Sequence, residues 1–273
     1  MTAMTLPASS DLERDDTNFT DVLRSEWIKF RSVGSTRWTL LTAWAGTIAV
    51  GLIVCAAIAG HWNQMSATDR ATFDPTFRSL TGLSLGQLAL GTLGVLVIAS
   101  EYTTGMIRST LAAVPGRRTV LAAKALVLAA PTFVIATLAS LVAFLGGQAL
   151  LASTGAGASM WANGELRAVI GGGVYLTLMA VFGLALGAIF RRTAGGIAAF
   201  VGLILVLPVV VAPLPNPWGR DISQYLPSDA GQAFLQIHTS AGSLPPWAGL
   251  AVLAAWVAAA LGTAAWLITR RDV

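Results

Sequence analysis

The sequence predicts an all-α membrane protein, with six transmembrane helices, an amphipathic interface helix ahead of them and a short cytoplasmic helix between the second and third spans. Three observations predict it. Charged residues make up 11% of the 273 and hydrophobic residues 55%, whereas a soluble domain carries about 25% charge; the mean hydropathy is +0.70. Charge-free runs of about 20 residues recur along the chain, the length a helix needs to cross ~30 Å of hydrocarbon. The basic residues also fall unevenly on the loops between those runs.

The first span covers residues 38–60 and the second 80–100. The third lies within 119–151, the fourth within 166–190, the fifth over 194–211 and the sixth over 247–269. The third run is longer than one crossing needs, so its end around Lys124 is expected to project past the bilayer. Pro131 and Pro208 are expected to kink their helices, since proline removes a backbone donor that neighbouring helices must compensate. Gly82 and Gly86 stand four apart on the second span, as do Gly183 and Gly187 on the fourth, where Gly171, Gly172 and Gly173 form a run. Small residues at this spacing let helix backbones approach closely, either within one chain or across a dimer face.

Orientation follows from the positive charges. With the amino terminus inside, the cytoplasmic set is Arg14, Arg24, Lys29, Arg31, Arg37, Arg108, Arg117, Arg118, Lys124, Arg191, Arg192, Arg270 and Arg271. Only Arg70, Arg78, Arg167 and Arg220 fall outside, as do both histidines, His61 and His238. The opposite topology would invert the positive-inside bias. Both termini are therefore expected in the cytoplasm, with the chain in the plasma membrane. Trp38 and Trp62 bracket the first span and Trp247 and Trp266 the sixth, as interfacial aromatics do. The net charge of +4 and pI near 9.8 belong to this bias. With two lysines and no basic run beyond Arg-Arg pairs, nucleic acid is not an expected partner. Residues 1–18 hold Asp11, Glu13, Asp15 and Asp16 and lack the basic start of a signal peptide, so they read as a disordered cytoplasmic tail. The single cysteine, Cys55, lies mid-span and forms no internal disulfide.

Several function classes are disfavoured. No Asp, Glu, Lys, Arg or His sits near the middle of a span, where ion-driven carriers and proton pumps place such groups. There is no HExxH, no pair of intramembrane acids, and no histidine at membrane depth to activate a serine. A phosphate-binding loop needs a lysine after a glycine-rich turn. Lys29 follows Ser-Glu-Trp-Ile and Lys124 follows Leu-Ala-Ala, so the chain does not bind ATP by that route. Neither catalytic nor metal nor cofactor residues are expected, and uphill transport would need energy from another polypeptide.

Two segments are suited to receive it. In residues 18–33, Asn18 is a plausible N-cap and Asp21 suits the first turn. At 100° per residue, Phe19, Val22, Leu23, Trp27, Phe30 and Val33 share one face, with Arg24, Ser25, Arg31 and Ser32 opposite, as in a helix lying in the membrane interface. Glu26 interrupts the apolar face; it has a basic partner, faces another protein, or snorkels to the headgroups. In residues 101–114, Glu101, Gly105 and Arg108 fall on one side of an expected helix, with Met106, Ile107, Leu111 and Val114 free to pack and Pro115-Gly116 ending it. Such a helix either docks into a partner's groove or is a solvated reversal bearing topogenic arginines.

The segments Leu23-Arg-Ser-Glu-Trp-Ile-Lys-Phe-Arg-Ser, Gly94-Val-Leu-Val-Ile-Ala-Ser-Glu-Tyr-Thr-Thr-Gly-Met-Ile-Arg-Ser-Thr-Leu, and Pro115-Gly-Arg-Arg with Ala123-Lys-Ala, taken in this order, resemble the permease subunit of type-2 ABC transporters, especially the six-span kind of actinobacteria. The resemblance implies that 19–33 is the interface helix, carrying Glu26, Trp27, Lys29 and Phe30. It implies that 101–114 is the coupling helix that docks on the ATPase through Glu101, Gly105, Arg108 and Leu111. Met106 departs from the family pattern, in which threonine commonly follows the glycine. The proline-rich stretch 213–246 would hold short helices that dip into the outer leaflet and close the pathway through Ile222, Leu226 and Phe234.

What the resemblance implies is an exporter permease that pairs with a second copy, identical or related, and binds two separately encoded ABC ATPase subunits, which hold the ATP and Mg. Uncharged spans favour a hydrophobic or amphiphilic cargo such as a drug, lipid or peptide. The alternative is a non-transporting membrane partner, an immunity or sensor subunit of such a system.

Overall fold

The structure is a computed structural model that describes residues 18–114, 116–161, 164–215, 217–237 and 242–271. The expected tail, apart from Asn18, lies outside the described residues, as do Pro115 and His238. Every regular element among the described residues is helical.

Helix α1 (Phe19–Ser32) starts after Asn18, whose carbonyl accepts the Asp21 amide at 2.9 Å while its side chain makes no cap. After Val33 the chain enters α2 (Gly34–His61), then the short helices α3 (Ala67–Ala71) and α4 (Pro75–Ser79). Ser66 and Asp74 cap these two through their side chains. Next come α5 (Leu83–Thr104), α6 (Met106–Ala113), α7 (Arg117–Leu151) and α8 (Glu165–Phe190). The fifth crossing is composite: α9 (Thr193–Val201), a π-helical turn (Gly202–Val206) and α10 (Leu207–Val211). Pro208 explains the interruption, because its ring displaces the carbonyl one turn earlier and removes an amide. Pro131, by contrast, sits inside α7 without ending it. The chain closes with α11 (Trp218–Ser223), α12 (Pro227–Ala233) and α13 (Pro246–Arg270).

Among the described residues, six stretches are long and apolar enough to cross a membrane: Gly34–Gln64, Leu83–Thr104, Arg117–Thr154, Glu165–Phe190, Thr193–Val211 and Pro246–Arg270. Helix α8 is the axis of the bundle, packing chiefly on α5 and α7 and then on α13 and α9. Its glycines permit this. A Cβ on Gly183 would lie 2.0 Å from the Gly91 carbonyl oxygen, and one on Gly94 would lie 1.9 Å from that of Ala180. The α5 and α8 backbones therefore touch, which only small residues allow. Gly82, expected to pack similarly, meets the Thr47 backbone of α2 instead.

The basic residues gather at one end of the bundle. Arg117, at the start of α7, donates to the Ile268 carbonyl at 3.1 Å, and Arg191, just past α8, reaches that of Leu267 at 3.4 Å. Both thus serve the last carbonyls of α13, where a cation is favoured. Arg191 itself adopts a left-handed conformation (φ 54°), which turns the chain from α8 into α9 within two residues.

Candidate functional site

At the basic end, α1 lies against the first turns of α7. The contact begins where Val22 packs on Val120 and Ala123. Residues four apart on a helix share a face, so the faces that meet at Val22 and Val120 continue to Glu26 and Lys124. On α5, Glu101 stands one turn beyond the buried Ile98 and points the same way. Three sequence-distant side chains therefore converge. Lys124 Nζ lies 2.6 Å from Glu26 Oε2 and 2.5 Å from Glu101 Oε1. Lys29 Nζ adds contacts at 2.7 Å to Glu26 Oε1 and 3.6 Å to Glu101 Oε1, and donates to Thr110 Oγ1 of α6 at 3.2 Å.

Burial sets the importance of this cluster. Lys124, Glu26 and Glu101 are 2%, 4% and 4% exposed. Buried ion pairs add little net stability over apolar packing, but removing one partner strands the other at a cost of roughly 3–5 kcal/mol. The cluster consequently acts as a selective bolt joining α1, α5, α6 and α7. Of the three possibilities for Glu26, the structure realises the basic partner. Lys124 is not the projecting group expected from the length of α7; α1 covers it.

Residues 101–114, expected as one helix, are two pieces. Glu101 belongs to the last turn of α5; Gly105 then adopts φ +75°, a left-handed conformation that glycine takes at little cost, and α6 starts anew at Met106. Glu101 and Arg108 thus do not share a side. Glu101 faces into the bundle, whereas Arg108 and Ser109 are exposed. Ile107 is buried, and Leu111 and Val114 pack on the Val22, Val120 and Ala123 group. Helix α6 therefore has an anchored face and a free face. Of the α1 residues, Lys29 and Phe30 are partly buried, and Trp27, exposed, stacks on Phe30 with ring centroids 6.2 Å apart.

At the opposite end the three residues expected to work together differ in exposure. Leu226 and Phe234 are buried, while Ile222 is exposed. The Phe234 ring meets Trp247 edge-on at 5.2 Å, and the Arg167 guanidinium lies 5.4 Å above it. Arg167 also donates to the Phe234 carbonyl and, at 2.8 Å, to that of Gln236. Asp74 accepts the Ile237 amide at 3.1 Å, pinning the turn after α12 from the other side. Between the two ends, the Tyr175 hydroxyl donates to Gln87 Oε1, joining α8 to α5 within the apolar interior. Among the described residues no three His, Cys, Asp or Glu side chains gather as a metal site.

Lys124 is the site residue that the linear reading did not single out as one. A signal existed: it is a lysine seven residues past Arg117, and the next charged residue of the chain is Glu165. Only its convergence with Glu26 and Glu101 makes it the centre of the site.

A multi-pass helical bundle with a charge-bolted amphipathic helix and a short surface helix at its basic end has the form of a membrane-embedded transport subunit. Residues 52–273 match the family described as ABC-2 family transporter protein, and the chain belongs to that family. It is accordingly an ABC transporter permease subunit, a class that works with an ABC ATPase. The match begins inside α2, so α1 lies ahead of it. No curated protein matches the chain.

Proposed function

We propose that this chain is the permease of an ATP-driven exporter, in which two copies, identical or related, form the path for a hydrophobic or amphiphilic cargo. Two separate ATPase subunits, holding ATP and Mg, dock at the basic end, which is cytoplasmic together with both termini. Helix α6 is the coupling helix, engaging the ATPase through its free face at Arg108. The one observation that carries this reading is the buried Glu26–Lys124–Glu101 cluster. It ties the ends of α1 and α5 to α7, and Lys29 adds α6, so a push on α6 moves the bundle as a unit. Packed elements of this kind transmit small displacements because they shift between discrete arrangements. Ion pairing removes Glu101 from the docking surface and gives it an internal role, while Arg108 keeps the external one. At the far end, Leu226 and Phe234 close the path from within the bundle, and Ile222 borders it on the exposed side.

The test is Arg108→Glu, purified with the partner ATPase. The complex should still assemble, while cargo-stimulated ATP hydrolysis falls at least tenfold. Unchanged stimulation would remove α6 from the coupling role.

A further inference from the structure

A cavity of about 230 Å³ lies between α1, α2, α5 and α7, and the permease reading does not require it. Roughly 150 Å³ suffices for a benzene-sized ligand. One part of the wall is apolar, with Phe30, Leu93, Leu96 and Val97; the other holds Glu26, Lys29, Glu101 and Lys124. Leu96 and Val33, both on the lining, are exposed, so the cavity opens on the outside of the bundle.

Glu101, a residue of the polar wall, keeps one acceptor without a donor. Glu101 Oε1 accepts from Lys124, but Glu101 Oε2, though buried, has no hydrogen-bond partner. A buried acceptor left unpaired is costly, so it selects for a donor. The balancing charge of the wall sits at its edge rather than within it. The buried charges Glu26, Glu101 and Lys124 sum to −1, and only Lys29 balances them. Its side chain is 32% exposed, on a flexible stem that reaches water easily.

We propose that this cavity binds a single-tailed cationic amphiphile. Its primary ammonium displaces Lys29 from Glu26 Oε1 and reaches Glu101 Oε2, and its chain runs along Leu93, Leu96 and Val97. Lys29 is then a tethered stand-in for the ligand's headgroup. An anionic head meets two buried carboxylates, and a hydroxyl supplies a donor without the missing charge. The ammonium can come from a free alkylamine or from an aminophospholipid headgroup.

The probe is dodecylamine bearing a terminal diazirine, crosslinked to the full chain in phosphatidylcholine nanodiscs and mapped by peptide mass spectrometry. No ATPase or nucleotide is present, so the outcome is independent of the coupling test above. The label should concentrate on residues 93–100 and saturate. Lys29→Met should raise labelling severalfold, whereas Glu101→Gln should lower it at least tenfold. Val97→Trp, which fills the cavity and leaves the charges intact, should also abolish it and covers a misfolded Glu101 variant. The corresponding dodecyl sulfate should show no such focus. If phosphatidylethanolamine nanodiscs suppress the label, the lipid headgroup is an occupant; if they do not, the free amine is. Label spread evenly over the exposed spans, or a focus unmoved by Lys29→Met and Val97→Trp, overturns the site.

Discussion

Lys124 Nζ sits 2.6 Å from Glu26 Oε2, across 98 positions of chain, and this contact fastens the amphipathic helix α1 to the bundle. Its neighbour Glu101 shares the same ammonium at 2.5 Å. The arrangement places one cation between two carboxylates, all buried, with Lys29 supplying the second positive charge at the edge.

Removing the central cation should therefore be severe. Lys124→Met leaves the buried Glu26 and Glu101 carboxylates with only the partly exposed Lys29 to balance them, and the expected loss is roughly 3–5 kcal/mol. The triple variant Glu26→Gln, Glu101→Gln, Lys124→Met removes the charges together and should recover most of that loss. Thermal unfolding in detergent, read against the single variant, checks both. A single variant as stable as the parent would show that the cluster is not buried.

The α5–α8 contact gives a steric prediction. Gly183→Val forces a side chain into the Gly91 carbonyl, which cannot withdraw as a flexible side chain would. Overpacking of this kind costs roughly 1–3 kcal/mol or more. Gly262→Ala on α13 is the control, since nothing lies within 4 Å of the added carbon. The first variant should lower the unfolding temperature and the second should leave it unchanged or raised.

Gly105 separates α5 from α6 by its backbone. Gly105→Ala must hold a left-handed conformation that costs an L-residue roughly 1–2 kcal/mol, whereas Gly105→Asn is tolerated better. Both are expected to leave the spans inserted. Coupled ATP hydrolysis should fall more in the alanine variant, because relief of the strain re-aims Arg108. Equal activity in the two would detach the glycine's geometry from coupling.

Asp229, on α12 outside the spans, carries a pH signature. Burial pushes its carboxyl above the usual value, against a smaller opposing effect of the Ser228 hydroxyl. A raised acid pKa means that the folded state holds the proton longer than the unfolded state does. Its contribution is then most favourable below the unfolded value and is lost as pH rises through the folded one. Asp229→Asn should be more stable than the parent at pH 7, and the difference should shrink on acidification toward pH 4. A difference independent of pH would assign the effect to packing instead.

Hydropathy and the order of charges along the chain were enough to identify an all-helical protein with six crossings. Insertion responds to the composition of each 20-residue stretch, and that property is local. The amphipathic face of residues 19–33 was legible for the same reason, as was the positive bias of one side. Convergence was not legible. Nothing in the spacing of Glu26, Glu101 and Lys124 shows that three helices bring them within 3 Å; that depends on how α1 lies across α7. The break at Gly105 was likewise open, since a glycine between two helical patterns is compatible with one helix or two, and only packing of Ile107 and Leu111 selects the second. The pairing of Gly183 with Gly91 rather than with a second chain was also settled by packing. Local pattern decides what enters the membrane, and side-chain contact decides which charges can be buried there, because a buried ion is tolerated only where its partner is already in place.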